Sequence, residues 1–304
     1  MSKYLEQVVP VIVTFNPDID GLERLLKSLS SFDQVNIIDN GSDNNLVLLI
    51  KPLLSRYLNV QASFSLSNLG IAEAQNIAVS EIQQLSKKTS FVFLLDQDSV
   101  PIGNCVEVLF DYANLITNEG IKLGVIGPVL FDGYSNKNIG FISNGKRLHS
   151  EQVKNKYFHC DGINSSGSLI PLPVWQELGG NNIKLFIDHV ETDWCFRANA
   201  LGYSCFGTFD AELLHSMGES TVEFWFFGKR RMPNRAPERH YYVFRNSIFL
   251  QKMNYVPLGW KLANLVKLFF TAFYFCSFST KRSEHFSSMY RGIIDGVRDR
   301  LGKN

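Results

Sequence analysis

Residues 91–99 read FVFLLDQDS: five consecutive apolar residues, two carboxylates one residue apart, and a serine. A short run without polar alternation is what a strand looks like when helices cover both faces of its sheet, and the carboxylates mark where it ends. Upstream lies a helical stripe, Ile71, Ala74, Ala78, Ile82 and Leu85. Before it, VNII (35–38) forms a second buried run closed by the turn-prone Asp39-Asn40-Gly41-Ser42-Asp43. Earlier still, VVPVIVTF (8–15) stops at Asn16-Pro17-Asp18, after which Leu22, Leu25, Leu26 and Leu29 repeat with helical spacing. Strands alternating with helices predict an α/β fold with a mainly parallel sheet, whose ligands sit beyond the carboxyl ends of the strands. Asp39 and Asp96 both fall there.

After Pro101 the alternation loosens. A helix is expected over 103–117, strands near 124–130 and 208–214, a Gly/Asn-rich hairpin at 139–148 and a short apolar run at 168–172. This half reads as mixed, so the sheet is expected to be parallel at one side and mixed at the other.

The 304 residues are 45% hydrophobic and 19% charged, with 24 Phe and 11 Tyr, which supplies ample core and excludes wholesale disorder. Net charge is only +1, but residues 229–304 hold 15 of the 30 Lys/Arg and 4 of the 29 Asp/Glu, which leaves −10 on residues 1–228. A basic, aromatic end on an acidic body suggests an anionic partner. Five cysteines, Cys105, Cys160, Cys195, Cys205 and Cys276, make no C-x-x-C pair and argue against a disulfide framework or zinc ribbon, which fits a reducing cytosol. The N-terminus reads as a domain start rather than a signal peptide. The division expected is a catalytic domain over 1–228 and a basic, helical extension over 229–304.

Four groups of residues could carry chemistry. Asp96-Gln97-Asp98 places paired negative charge at a sheet opening, where a hard divalent cation would neutralise it; capping of the next helix is the alternative. His215 ends a strand and is either an ordinary hydrogen-bonded residue or a metal ligand. Asp188, Glu191 and Asp193 open an apparent helix, where acids also suit the helix dipole; Glu191 and Asp193 would be about 200° apart around it, so both cannot face one partner. Lys229–Arg239 reads as a basic loop with two prolines, in which Arg230, Arg231 and Arg235 suit phosphate.

The stretch 256–278 is the most apolar, but Lys261, Asn264 and Lys267 interrupt it, which favours a helix lying in a membrane surface over one spanning it. The alternative is that these aromatics belong to the core or to a dimer interface.

Taken in order, VVPVIVTFNPD (8–18), IIDNGSDN (37–44), SNLGIAEAQNIA (67–78), FLLDQDS (93–99), SSGSLI (165–170), LFIDHVETDWCFRANALGY (185–203), LLHSMGE (213–219) and RHYYVFRN (239–246) resemble the inverting nucleotide-sugar glycosyltransferases of family 2, which have the GT-A fold. Within them the phrases DQDS, FIDHVETDWCFRA and HYYVFRN look like those of bacterial rhamnosyltransferases. The resemblance implies dTDP-L-rhamnose as donor and a saccharide acceptor, lipid-linked where a surface polysaccharide such as O antigen is assembled. It implies Mg²⁺ or Mn²⁺ held by Asp98 and His215, and nucleotide contacts from Thr14, Asn16, Asp39, Asn68, Gly70, Asn76 and Asp96. It assigns the catalytic base to the second acid of its segment, Asp193, with Asp188 and Glu191 near acceptor or donor hydroxyls. Such an enzyme would work in the cytoplasm, peripherally attached to the inner face of the cell membrane.

Other readings are weaker. A transferase using a UDP-hexose shares every motif. Nucleic-acid binding through the basic end leaves both acidic clusters unexplained, so no nucleic-acid partner is expected. A Rossmann dehydrogenase would need G-x-G-x-x-G where Asn16-Pro17-Asp18 stands. A catalytically silent scaffold would survive loss of Asp98.

Overall fold

The computed structural model describes residues 2–85, 88–133, 137–215, 221–225 and 229–304, with the backbone alone for 85, 221–225 and 229–233. Contacts group the chain into two units, residues 1–183 with 190–216, and residues 184–189 with 217–304. The segment 184–189 therefore belongs with the C-terminal unit, not with the first domain as its position in the sequence suggested.

The first unit opens with helix α1 (Lys3–Gln7) and then alternates strands and helices: β1 (Val8–Thr14), α2 (Ile19–Ser28), β2 (Val35–Asp39), α3 (Asn44–Leu54), β3 (Val60–Phe64), α4 (Ile71–Leu85) and β4 (Phe91–Asp96). There follow β5 (Ser99–Ile102), α5 (Cys105–Asn118), β6 (Leu123–Asp132), β7 (Lys137–Ile139), β8 (Phe141–Ser143), β9 (Lys146–Leu148), β10 (Phe158–His159), β11 (Leu169–Pro171), α6 (Leu172–Glu177), α7 (Val190–Ala200) and β12 (Ser204–His215). Among the described residues, ten strands form one sheet in the order β10-β12-β6-β11-β4-β1-β2-β3, with β5 on β12 and β7 on β6. The β4-β1-β2-β3 side is parallel, and β11 runs antiparallel to both β4 and β6. The expected mixed half is therefore present.

Period-two geometry explains the solid apolar runs. Val8 and Ile12 of β1, with Phe91, Phe93 and Leu95 of β4, pack on one side with Leu22, Leu25, Ile50 and Leu109. Val9, Val11 and Val13, with Val92 and Leu94, pack on the other with Ala74, Ala78, Trp175 and Trp194. Both sides of each strand are dry, so neither can be polar. Each such side chain contributes roughly 1.5–3 kcal/mol of burial.

Local chemistry fixes the ends. Asp18 accepts a hydrogen bond from the Gly21 amide at 2.9 Å and so caps α2, which turns the expected Asn16-Pro17-Asp18 break into a helix start. The hairpin of β8 and β9 turns on Asn144 and Gly145, both at positive φ, as a two-residue type I′ turn requires. The sequence reading passed over α1, α3, β3 and β5; α3 carries Pro52 within it, and β3 is only partly buried, so each is weakly patterned.

The C-terminal unit holds a hairpin of β13 (Thr221–Trp225) and β14 (Lys229–Pro233), then α8 (Pro237–Gln251), α9 (Leu258–Phe278) and α10 (Arg282–Val297). The expected basic loop over 229–239 is thus a strand, a short link and the first turn of α8, with Pro237 at a helix start where its missing N–H costs nothing. Two glycines seat α10 on α8: a Cβ at Gly292 would lie 2.5 Å from the Tyr241 carbonyl oxygen, and one at Gly296 would lie 2.6 Å from that of Arg245.

Candidate active site

The carboxyl end of β4 delivers Asp96 and the turn after it delivers Asp98. His215 arrives from the far end of β12, because β5 pairs antiparallel with β12 and puts Ser99 opposite His215. One ligand atom from each of Asp96, Asp98 and His215 lies within 4.8 Å of the others. Asp98 Oδ1 is 3.6 Å from His215 Nδ1, with the two side chains 40% and 17% exposed. Burial pushes the Asp98 carboxyl up, and His215 partly opposes that. Two hard carboxylate oxygens and an imidazole, partly desolvated and converging, make a donor set suited to a divalent ion.

Three hydrogen bonds lead from Asp96 to His215. The Asp96 amide donates to Ser166 Oγ at 3.0 Å, Ser166 Oγ donates to Ser99 Oγ at 2.7 Å, and Ser99 Oγ bonds His215 Nδ1 at 2.7 Å. Ser99 and Ser166 are both buried. Gln97, the middle residue of the triplet, bridges to the end of β1, accepting from the Phe15 amide at 2.7 Å and donating to its carbonyl at 3.2 Å. Neither serine nor Gln97 was singled out in the sequence; their signal was their place within the motifs DQDS and SSGSLI.

Asp39 is 1% exposed and accepts from Thr14 Oγ1 at 2.8 Å, the Ser42 amide at 2.9 Å and Ser42 Oγ at 2.6 Å. Ser42 Oγ in turn accepts from the Asn16 amide, and Asn16 Oδ1 accepts from the Asp43 amide. Asp39 and Thr14, expected to touch a nucleotide, are buried ties of the loop. Asn68 Oδ1 accepts from Asn40 Nδ2 and from the Gly70 amide, so Asn68 and Gly70 brace the same wall. Gly41 must be glycine: its φ is +81°, and a Cβ there would sit 2.4 Å from the Ser67 carbonyl carbon. Asn76 lies on α4. Its amide meets Asn181 twice, donating to the carbonyl at 2.9 Å and accepting from the backbone N–H at 2.8 Å, so it clasps that turn.

On α7 the two acids part as the helical angle requires. Asp193 is 0% exposed and pairs with Arg197 Nε at 2.7 Å. Arg197 also donates to the carbonyls of Leu178 and Gly180, both at 2.8 Å. That is the environment of a buried, paired carboxylate. Glu191 is partly exposed and, with Leu94, Ser165, Asn181 and Trp194, lines a cavity.

In the C-terminal unit, Asp188 meets Arg235 Nη1 at 3.0 Å and Arg239 Nε at 2.6 Å, with its side chain 8% exposed. Asp188, expected near sugar hydroxyls, and Arg235, expected on phosphate, are thus engaged with each other. The side chains of Arg230 and Arg231 lie outside the described residues. Phe186, Asp188 and His189 all have positive φ, a costly backbone held by Asn246, whose Nδ2 donates to the carbonyls of Leu185, Ile187 and Asp188 at 2.8–2.9 Å.

Residues 11–170 match the family described as Glycosyl transferase family 2. Over 301 residues, 97% of each chain, the sequence is 27% identical to the dTDP-rhamnosyl transferase RfbF of Shigella flexneri. Among solved structures, S. aureus TarS (residues 1–349) superposes with a TM-score of 0.57 at 14% identity over 97% of this chain and 82% of that one. The mannosyltransferase PcManGT from Pyrobaculum calidifontis, solved with GDP-Man and Mn²⁺, gives 0.55 at 10% identity over 96% and 75%. These likenesses show the GT-A fold.

Proposed function

We propose, from the premise that this chain belongs to glycosyl transferase family 2, that it moves L-rhamnose from dTDP-L-rhamnose to a saccharide hydroxyl with inversion at the anomeric carbon. The observation that carries the sugar is the similarity to the Shigella flexneri enzyme along 97% of both chains. A UDP-hexose is the competing donor, since structures bound to other nucleotides share the fold.

Asp96, Asp98 and His215 would hold a Mg²⁺ or Mn²⁺, which when bound supplies positive charge against the leaving nucleoside diphosphate. The loop tied by Thr14, Asn16 and Asp39, with Asn68 and Gly70 behind it, supports a preformed wall for the nucleotide, because its polar groups are fixed before any ligand arrives. Burial and pairing of Asp193, against the partial exposure of Glu191, support assigning the base to Glu191 instead. Glu191 takes the acceptor hydroxyl's proton as that oxygen bonds to the anomeric carbon, and the electron pair of the breaking bond leaves with the diphosphate. Arg230 and Arg231 remain candidates for phosphate. The acceptor is a lipid-linked saccharide at the cytoplasmic face of the cell membrane, where the protein is peripherally attached, and residues 1–228 carry the catalysis.

The test is a panel of nucleotide sugars incubated with purified protein and Mn²⁺. Turnover of dTDP-L-rhamnose alone, abolished by EDTA, is the expected result. Preference for a UDP-sugar would replace the donor, and undiminished turnover in EDTA would remove the ion.

A further inference from the structure

On a helix at a water-facing surface the outward stripe is polar. α9 inverts that rule. Asn264, Leu268 and Phe275 are its buried positions. The outward stripe is Leu258, Leu262, Leu265, Phe269 and Phe273, between 40% and 70% exposed. α10 repeats the arrangement. His285, Met289, Gly292 and Gly296 face inward at i, i+4, i+7 and i+11. One residue on, Phe286, Tyr290, Ile293 and Val297 form a second stripe with the same spacing, 60%, 57%, 37% and 61% exposed. The Phe286 and Tyr290 rings stack at 6.1 Å, and Phe275 joins the two helices by packing on His285 at 4.8 Å. Scattered exposed apolar residues are ordinary; two complete stripes on adjoining helices are not.

The charges name the occupant. α9 carries Lys261 and Lys267 and no acid, and Lys281, Arg282 and Arg291 follow, against Glu284 and Asp295 in α10. We propose that α9 and α10 together form a docking face for an anionic lipid bilayer, lying in its surface with both stripes in the acyl boundary and these cations among the headgroups. α9 has the length and composition to cross a bilayer. Its uninterrupted apolar part, Leu268–Phe278, would nevertheless span only about 16 Å of a core of about 30 Å. A second copy of the chain fits less well, because a two-fold contact would set the cations of one copy against those of the other with no acid on α9 to answer them.

The inference extends the reading of a membrane-linked acceptor, and its test is separate from sugar transfer. The full chain is floated with phosphatidylcholine vesicles, with and without 30% phosphatidylglycerol. Binding to the anionic vesicles is expected, weakened by salt. The pairs Phe269→Ser/Phe273→Ser and Phe286→Ser/Tyr290→Ser should each reduce it at least tenfold with the circular dichroism spectrum unchanged, since all four side chains are exposed. Lys267→Glu/Lys281→Glu should abolish the preference for anionic lipid. Absence of binding, or binding indifferent to these changes, overturns the proposal. So does a dimer in light scattering that becomes a monomer in either aromatic variant, which assigns the face to a second copy. Transfer to a soluble acceptor reports on the enzyme whichever way the vesicles behave.

Discussion

Ser99 and His215 are partners across the antiparallel pairing of β5 and β12, with Ser99 Oγ 2.7 Å from His215 Nδ1. Through Ser166 the same chain of bonds reaches the Asp96 amide, so two buried hydroxyls link the imidazole to the backbone that carries the carboxylate.

Removing such a support typically weakens metal binding 10- to 100-fold. Ser99→Ala and Ser166→Ala should each lower Mn²⁺ affinity by about 10- to 100-fold, read by titration calorimetry in the presence of dTDP. The double variant should be little worse than either single one, because both break one chain. Additive losses would mean the serines act independently.

Glu191 and Asp193 should fail in different ways. Glu191→Gln is expected to lower kcat for transfer by about 10²- to 10⁴-fold with an unchanged melting temperature. Asp193→Ala leaves Arg197 without its partner and should cost about 3 kcal/mol in denaturant unfolding. Loss of kcat in a fully stable Asp193→Asn protein would return the base to Asp193.

Asn246→Ala removes the donor that serves three carbonyls around left-handed Phe186, Asp188 and His189. A loss of about 2–3 kcal/mol is expected, measured by urea unfolding. Asn246→Asp should not rescue it, since a carboxylate offers no N–H.

The C-terminal helices should be acid-labile. Burial holds His240 down at about 3 and His189 at about 4, against 6.5 ordinarily; for His240 the nearby His285 and Arg235 add to the effect and Asp188 opposes it. His240 and His285 share a bond between their Nδ1 atoms at 2.9 Å, which needs one nitrogen protonated and one bare. Because the folded-state values are lowered, the unfolded chain binds more protons in between. Stability is therefore complete above pH 6.5 and falls as pH drops toward 3 or 4. Melting temperatures from pH 8 to 4.5 should decline, and more shallowly in His240→Gln/His285→Gln.

What was legible beforehand was what local pattern encodes. The run FVFLLDQDS announced a doubly covered strand and its acidic end, because both faces of β4 are dry and the sheet opens where it stops. The 3.6-residue period separated Glu191 from Asp193, though only the fold said which of them is buried. Ser166 lies 67 residues from Ser99, and their contact exists only because β11 inserts antiparallel between β4 and β6. Nothing periodic records such a pairing. The clasp of Asn76 on Asn181 was hidden for the same reason, since the two are 105 residues apart.

The glycines at 292 and 296 also explain why oily side chains remain on display in water. Rolling the last helix by one position, about 100°, would hide Phe286 and Tyr290, but it would also drive the branched side chains of Ile293 and Val297 into the backbone of Tyr241 and Arg245. The rotational setting is locked from behind, so the greasy side is offered outward by construction, and only something arriving from outside can cover it.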